Sequence, residues 1–277
     1  MLKSVRLAAS VVGVTVLCSL GWSVISRKSK PAKEEIRVVS NVAWQRPEGM
    51  EEYLRTSRLV DLNSEIVMET TNRVIKDART PREAAIKIFY FVRDEIKYKF
   101  VAIPLGKAST VVKTRTGQCT AKTVLIVAML RAANIPARFH FADLRTEFVK
   151  GLESHLIYKI MPRTIGHAYA EVYLDDKWIK IDPIFDKELY DLIKKRAVGL
   201  GAADLPNPSI DWDGYHDVSI TDSFLAEDFG VHASAEAELI KLTRRFGISL
   251  RGVLSVLLGG WWLSNRNLEK LRKRNHS

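Results

Sequence analysis

Apolar and polar positions divide the chain into unlike stretches. Leu7 to Ile25 is a run of 19 residues without a charge, bounded by Lys3 and Arg6 before it and by Arg27 and Lys28 after it. As a helix it would be roughly 28 Å long, close to the hydrocarbon thickness of a bilayer. An uncleaved membrane anchor is the leading reading. A cleaved signal, with Ser19-Leu20-Gly21 as a small-x-small site, and a buried core helix are the alternatives. Ser29 to Glu35 is polar, contains Pro31 and reads as a linker. Between 63 and 78, Ile66, Val67, Val74 and Ile75 recur at helical spacing. Thr80-Pro81-Arg82-Glu83 then carries a helix start: a capping hydroxyl, a proline in the first turn and a carboxylate that reaches back. That helix is expected to run to about Tyr98 and to bury Ala84, Ile86, Ile88, Phe89, Val92 and Ile96.

Gly117 interrupts the pattern before a further helix, from about Cys119 to Ala133. This helix is apolar on most faces (Val124, Leu125, Val127, Ala128, Leu130) and so belongs in the centre of the core. Asn134 is a suitable stop and Pro136 prevents resumption. Ala137–Leu144, His167–Leu174 and Trp178–Asp182 alternate as strands do, with Asp175-Asp176 as a tight turn between the last two. Residues 187–245 mix helical and loop signals around Pro206, Pro208 and Asp213-Gly214. Gly252 to Leu263 is a second apolar segment, ending in Trp261-Trp262-Leu263. It reads as a span (lengthened to Phe246 if Arg251 snorkels), an interfacial segment or a helix packed on the domain. The organisation expected is 1–30 anchor or signal, 31–49 linker, 50–186 core, 187–245 extension, and 246–277 apolar segment with a basic tail.

Composition changes this picture little; charge changes it more. The 277 residues are 47% apolar and 27% charged, which excludes a wholly disordered or collagen-like chain. The formal charge is +11, but residues 1–30 hold +5 and residues 264–277 hold +4, leaving +2 for everything between. Cations that flank apolar segments suit lipid headgroups, so membrane lipid is an expected partner. A nearly neutral domain has no broad phosphate-binding face, so nucleic acid is not. The two cysteines allow at most one disulfide. With Cys18 in the N-terminal apolar run, Cys119 is the one thiol of the folded part.

A nucleophilic cysteine needs a lowered pKa, a base to hold its proton and a group to orient that base. Cys119 falls at the amino end of its helix, where unpaired N–H groups and the dipole favour thiolate and an oxyanion. With a two-residue turn at Asp175-Asp176, Leu174 faces Lys177 and Glu171 faces Lys180. Asp182 then falls on the sheet face that also carries His167 and Tyr169. A bulged turn would alter that register. On isolated residues the bland readings stand: buried packing for Cys119, a satisfied structural histidine for His167, a strand-ending turn for Asp182. His140 and His155 lack the alternating strand and partner aspartate expected of a base. Asp211-Trp212-Asp213-Gly214 is a fragment of a calcium-loop pattern without the remaining ligands, and a turn is the better reading.

Gly117-Gln118-Cys119-Thr120-Ala121-Lys122 with Leu130 to Arg138 closely resembles the cysteine segment of the transglutaminase-like superfamily. His167-Ala168-Tyr169-Ala170-Glu171-Val172-Tyr173-Leu174 with Trp178 and Ile181-Asp182-Pro183 resembles its histidine and aspartate segments. The resemblance covers about 50–186, with Tyr169 standing where many members carry Trp. It implies an α+β, papain-like core in which Cys119 is nucleophile, His167 base and Asp182 orienter. Gln118 and Tyr169 are candidates for the oxyanion or substrate-binding side, with a solvent-facing loop role open for Gln118. A peptide or protein substrate is implied, attacked through a thioester, with hydrolysis favoured over crosslinking and neither metal nor cofactor required. Together with the terminal segments, this gives a membrane-anchored member with an N-terminal transmembrane helix and an extracytoplasmic domain. A catalytically inactive binding or scaffold domain at the membrane is the alternative.

Overall fold

The computed structural model describes residues 39, 42–100, 106–150, 152–153, 155–199, 210–219, 221–248 and 260–273. The first helix, Glu65–Val74, buries Val67, Thr70 and Thr71. The next, Pro81–Tyr90, starts as its sequence predicts: the Thr80 hydroxyl accepts from the Glu83 N–H, and proline occupies the first turn. It then widens into a π turn at Phe91–Glu95 and leaves helical geometry at Ile96, short of the expected Tyr98. The cause is a strand. β1 (Lys97–Tyr98) pairs in parallel with β2 (Thr116–Gly117), placing an extended segment beside the chain that enters the Cys119 helix. A short helix, Ala108–Thr114, connects the two strands and was not expected from the sequence.

The helix Cys119–Ala132 is buried along almost its whole length and forms the centre of the core, as its all-round apolar pattern predicts. It lies against a four-stranded antiparallel sheet of order β5-β4-β3-β6, made of β3 (Ala137–Arg145), β4 (Thr164–Leu174), β5 (Lys177–Ile181) and β6 (Leu225–His232). The β4–β5 hairpin keeps the two-residue turn and the predicted register, with Leu174 opposite Lys177 and Glu171 opposite Lys180. Asp175 and Asp176 both take positive φ (48° and 61°), the geometry that a two-residue hairpin turn demands and that aspartate tolerates. β6 was not anticipated, because its apolar residues do not alternate and most of its positions are exposed.

A second, smaller apolar cluster lies beside the first and includes Tyr98, Phe148, Phe185, Leu189, Leu268 and Leu271, with Cys119 packed at its margin. The carboxyl-terminal helix Gly260–Lys273 contributes to it and corrects one reading of the sequence. Trp261 and Trp262 open an amphipathic helix that buries Leu268 and Leu271 and carries Arg266, Lys270, Arg272 and Lys273. Arg272 reaches the fully buried Asp186 at 2.7 Å, and Asn265 pairs through its side chain with both backbone groups of Phe100 (2.9 and 2.8 Å). From Ser264 onward this helix docks on the domain, in line with the packed-helix alternative for this end of the chain.

The membrane expectations are corrected with it. Among the described residues, no helix is long and apolar enough to cross a membrane. The Leu7–Ile25 segment, Cys18, the 29–35 linker, the Pro206/Pro208 pair and residues 249–259 lie outside the described residues. The observed class is therefore α+β, helices packed on a small antiparallel sheet, without the transmembrane helix that was part of the expectation. Membrane anchoring, a membrane-lipid partner and an extracytoplasmic placement find no support among the described residues.

Candidate active site

Cys119 is the first residue of the core helix. Gln118, in extended geometry (φ −90°, ψ −177°), precedes it as the cap, and its side chain makes no capping hydrogen bond. The close turn into the helix needs the glycine before it. A Cβ on Gly117 would come within 3.1 Å of the Ala121 side chain, tighter than ordinary contact. Thr123, one turn along, fixes the helix to the sheet. Its hydroxyl lies 2.9 Å from the Cys119 carbonyl and 2.8 Å from the Ala168 carbonyl on β4. The cysteine is half-buried.

His167, one residue before that carbonyl, is 1% exposed. Its Nε2 lies 3.1 Å from Asp182 Oδ2, so the carboxylate fixes this nitrogen as an N–H donor. The Cys119 thiol is close enough to act on the same imidazole, adding to the shift that Asp182 causes. Burial works against a charged imidazole here, but the Asp182 charge and hydrogen bond, with the thiol contact, outweigh it and push His167 up to about 10. Asp182 follows the last residue of β5 and is itself buried. Its backbone N–H donates to the Val218 carbonyl at 3.1 Å, and its Oδ2 also accepts from the Thr221 hydroxyl at 3.3 Å.

Aromatic rings wall the histidine side. Phe148 lies 6.3 Å from the His167 ring and packs against Phe185 and Phe224. Tyr169 is 4% exposed and sits between two imidazoles, 6.0 Å from His167 and stacked at 4.5 Å on His140. The Tyr98 phenol is raised well above its ordinary value by burial and by the nearby Cys119 and Glu153. Behind Asp182, the Lys122 side chain is 1% exposed and donates to the Arg93 carbonyl at 3.0 Å. Burial pulls this lysine down to about 7 although Asp186, Asp94 and Asp182 pull the other way.

His140 lies on the strand expected at Ala137–Leu144 and corrects the reading that denied it a partner carboxylate. It sits within β3, with Nδ1 2.7 Å from Glu171 and Nε2 2.7 Å from Asp228. Asp228 arrives on β6, an element the sequence pattern did not reveal. His155 begins a short helix and takes no part in the site. The Asp211–Gly214 stretch is a turn. Asp213 accepts from the Tyr215 and His216 N–H groups at 2.8 and 3.0 Å, and Asp211 accepts from Arg93 at 2.6 Å. Among the described residues, no group of three or more His, Cys, Asp or Glu side chains is arranged to hold a metal ion.

Residues 68–183 match a family profile described as the Transglutaminase-like superfamily, so Cys119, His167 and Asp182 all lie within the matched segment. The matched stretch is less than half of the chain, and over it the sequence is similar to that superfamily. No curated protein matches the chain. Among solved structures, a proposed cysteine protease from Cytophaga hutchinsonii is 14% identical with a TM-score of 0.43. The match covers 73% of this chain and 52% of that one, so this chain spans about half of that relative's length. A proposed protease from Parabacteroides distasonis is 13% identical with a TM-score of 0.31, over 44% of this chain and 25% of that one. Red sea bream transglutaminase is 16% identical with a TM-score of 0.30, over 48% of this chain and 26% of that one.

Proposed function

We propose that this protein is a cysteine-dependent amide hydrolase or acyltransferase acting on peptide or protein substrates, with Cys119 as nucleophile, His167 as general acid–base and Asp182 as the residue that orients it. One observation carries the reading: a buried imidazole with a carboxylate 3.1 Å from its Nε2, on a strand tied by Thr123 to the helix that begins with Cys119. The 50–186 portion is the catalytic core in this reading, and the 187–245 extension completes its aspartate side.

With its proton already held on His167, the Cys119 sulfur attacks the substrate carbonyl carbon, forming the C–S bond. The negative charge moves to the carbonyl oxygen. The Cys119 N–H at the start of the helix is a donor for that oxyanion, and Gln118 and Tyr169 are candidates for the same side of the pocket. As the intermediate collapses, the C–N bond breaks and His167 returns its proton to the leaving amine, giving a thioester. A water, giving a proton to His167, then forms a C–O bond at the thioester carbon; the C–S bond breaks, the carboxylic acid leaves, and Cys119 and His167 again share the proton. An acceptor amine in place of water gives transfer. Hydrolysis is the preferred outcome because water needs no second binding site.

An electrophilic thiol probe tests the reading against an inert scaffold with the same fold. Labelling should fall on Cys119, and His167→Ala should abolish it while the protein stays folded by circular dichroism. Equal labelling of wild type and His167→Ala at neutral pH would place the cysteine among ordinary thiols and favour the scaffold.

A further inference from the structure

We infer that Thr221 is a positioning residue for the Cys119–His167–Asp182 site, supplied by a part of the chain that lies outside the matched segment. This inference rests on the proposed function above. Thr221 is 1% exposed, and its Oγ1 lies 3.3 Å from Asp182 Oδ2, the same oxygen that meets His167 Nε2 at 3.1 Å. An ionised carboxylate only accepts, so the threonine proton points at Asp182. Two donors on one oxygen fix the rotation of the carboxylate about its own side-chain bond and hold that oxygen toward the imidazole.

Thr221 is itself held. Val218 docks beside the end of β5 through a parallel bridge to Ile181. The Asp182 N–H donates to the Val218 carbonyl (3.1 Å), and the Val218 N–H donates to the Lys180 carbonyl (3.0 Å). The Ser219 hydroxyl lies 3.0 Å from Thr221 Oγ1 and accepts from the Thr221 N–H at 3.3 Å. With its own proton committed to Asp182, Thr221 Oγ1 is the acceptor in the Ser219 contact, and Asp222 Oδ1, 3.0 Å from Ser219, competes for the same serine proton. The result is a clip: backbone pairing brings Val218 alongside the aspartate, Ser219 steadies Thr221, and the threonine hydroxyl is its functional tip.

The matched family segment ends at residue 183, so a site read from that segment alone stops at the aspartate and omits its second donor. A histidine whose charge depends on Asp182 is sensitive to how that carboxylate is turned. A valine at 221 keeps the branched shape and removes the proton; a serine keeps the proton and removes a methyl group.

The test is the imidazole titration of His167 in the full chain, followed by NMR with isotope-labelled histidine and assigned by loss of the signal in His167→Gln. Thr221→Val should bind the His167 proton about tenfold less tightly than wild type, while Thr221→Ser stays close to wild type. The rate of Cys119 alkylation as a function of pH should shift in the same direction in Thr221→Val only. An unchanged or tighter proton affinity in folded Thr221→Val overturns the inference, as does an equal loss in Thr221→Ser. The titration needs no turnover. If wild-type Cys119 alkylates like a free thiol while the His167 shift appears, the functional reading fails and the positioning of Asp182 stands. If alkylation depends on His167 but Thr221→Val changes nothing, the reverse holds.

Discussion

The Thr123 hydroxyl lies 2.8 Å from the Ala168 carbonyl, which ties the helix that begins with Cys119 to the strand that carries His167 one residue away. The same hydroxyl reaches the Cys119 carbonyl at 2.9 Å, so one buried side chain sets both the start of the helix and its docking on the sheet. A valine at 123 preserves the volume and loses the proton. Thr123→Val should lower the unfolding free energy by about 1–3 kcal/mol, the range for removing one partner of a buried hydrogen bond. It should also slow thiol labelling of Cys119 more than that loss of stability explains. Urea denaturation alongside labelling at matched folded fraction checks both.

Two buried bases give opposite contributions to stability as pH rises. His167 is raised to about 10 from an ordinary 6.5, so its stabilising charge is fully present below pH 6.5 and is lost as pH climbs through 10. Lys122 is lowered to about 7 from 10.5, so the unfolded chain binds the extra proton between those values, and this lysine's contribution grows as pH rises across them. The difference between wild type and His167→Gln should shrink from pH 6.5 to 10, and the difference between wild type and Lys122→Met should move in favour of wild type from pH 7 to 10.5. Denaturation curves of the three proteins across that range separate the two; parallel curves would remove both assignments.

Arg131 is 1% exposed and donates to three carbonyls that belong to separate parts of the chain: Ala137 (3.1 and 2.8 Å), Arg55 (2.6 Å) and Ala233 (2.6 Å). Removing it orphans several buried acceptors at once. Arg131→Ala should destabilise the domain by roughly 3–5 kcal/mol. Arg131→Lys should recover only part of this, because a single ammonium cannot reproduce the planar fork. Thermal or chemical unfolding measures it directly.

Much of the core and of the candidate site was legible because local rules and tertiary demands coincide there. Thr80 and Pro81 start a helix wherever they stand, the two-residue Asp175-Asp176 turn sets a register, and that register carries His167 toward Asp182. What was missed depends on contacts between distant segments. The Pro81–Tyr90 helix gives way before Tyr98 because β1 finds a partner at Thr116–Gly117, a pairing that no local pattern announces. His140 looked isolated because its carboxylates come from two other strands, and Thr221 carries no motif at all. For the apolar Trp261-Trp262-Leu263 end the sequence left three readings open, because hydropathy counts residues without asking what they pack on; Leu268 and Leu271, further along the same helix, show where it docks.

The His140 cluster has its own consequence. Hydrogen bonds to Glu171 and Asp228 raise this imidazole despite its burial, and Arg138 pairs with the same Glu171 at 2.6 Å. Both ring nitrogens face carboxylates, so both must carry protons for the clasp on β6 to hold. Its stabilising charge is complete below pH 6.5 and is lost as pH rises through the elevated value in the folded protein. Amides of β6 should therefore exchange hydrogen faster at alkaline pH than intrinsic chemistry accounts for. Asp228→Asn should bring that faster exchange to lower pH. Amide exchange followed by mass spectrometry resolves the strand.

The central claim is that the Cys119 sulfur becomes acylated. Mixing the protein with excess nitrophenyl ester of a short acylated peptide, then quenching within the first turnover, tests it most directly. The account predicts a burst of nitrophenol close to one equivalent per protein and a matching acyl mass on the peptide containing Cys119, both abolished in Cys119→Ser. No adduct, or an adduct elsewhere that survives in Cys119→Ser, would contradict it.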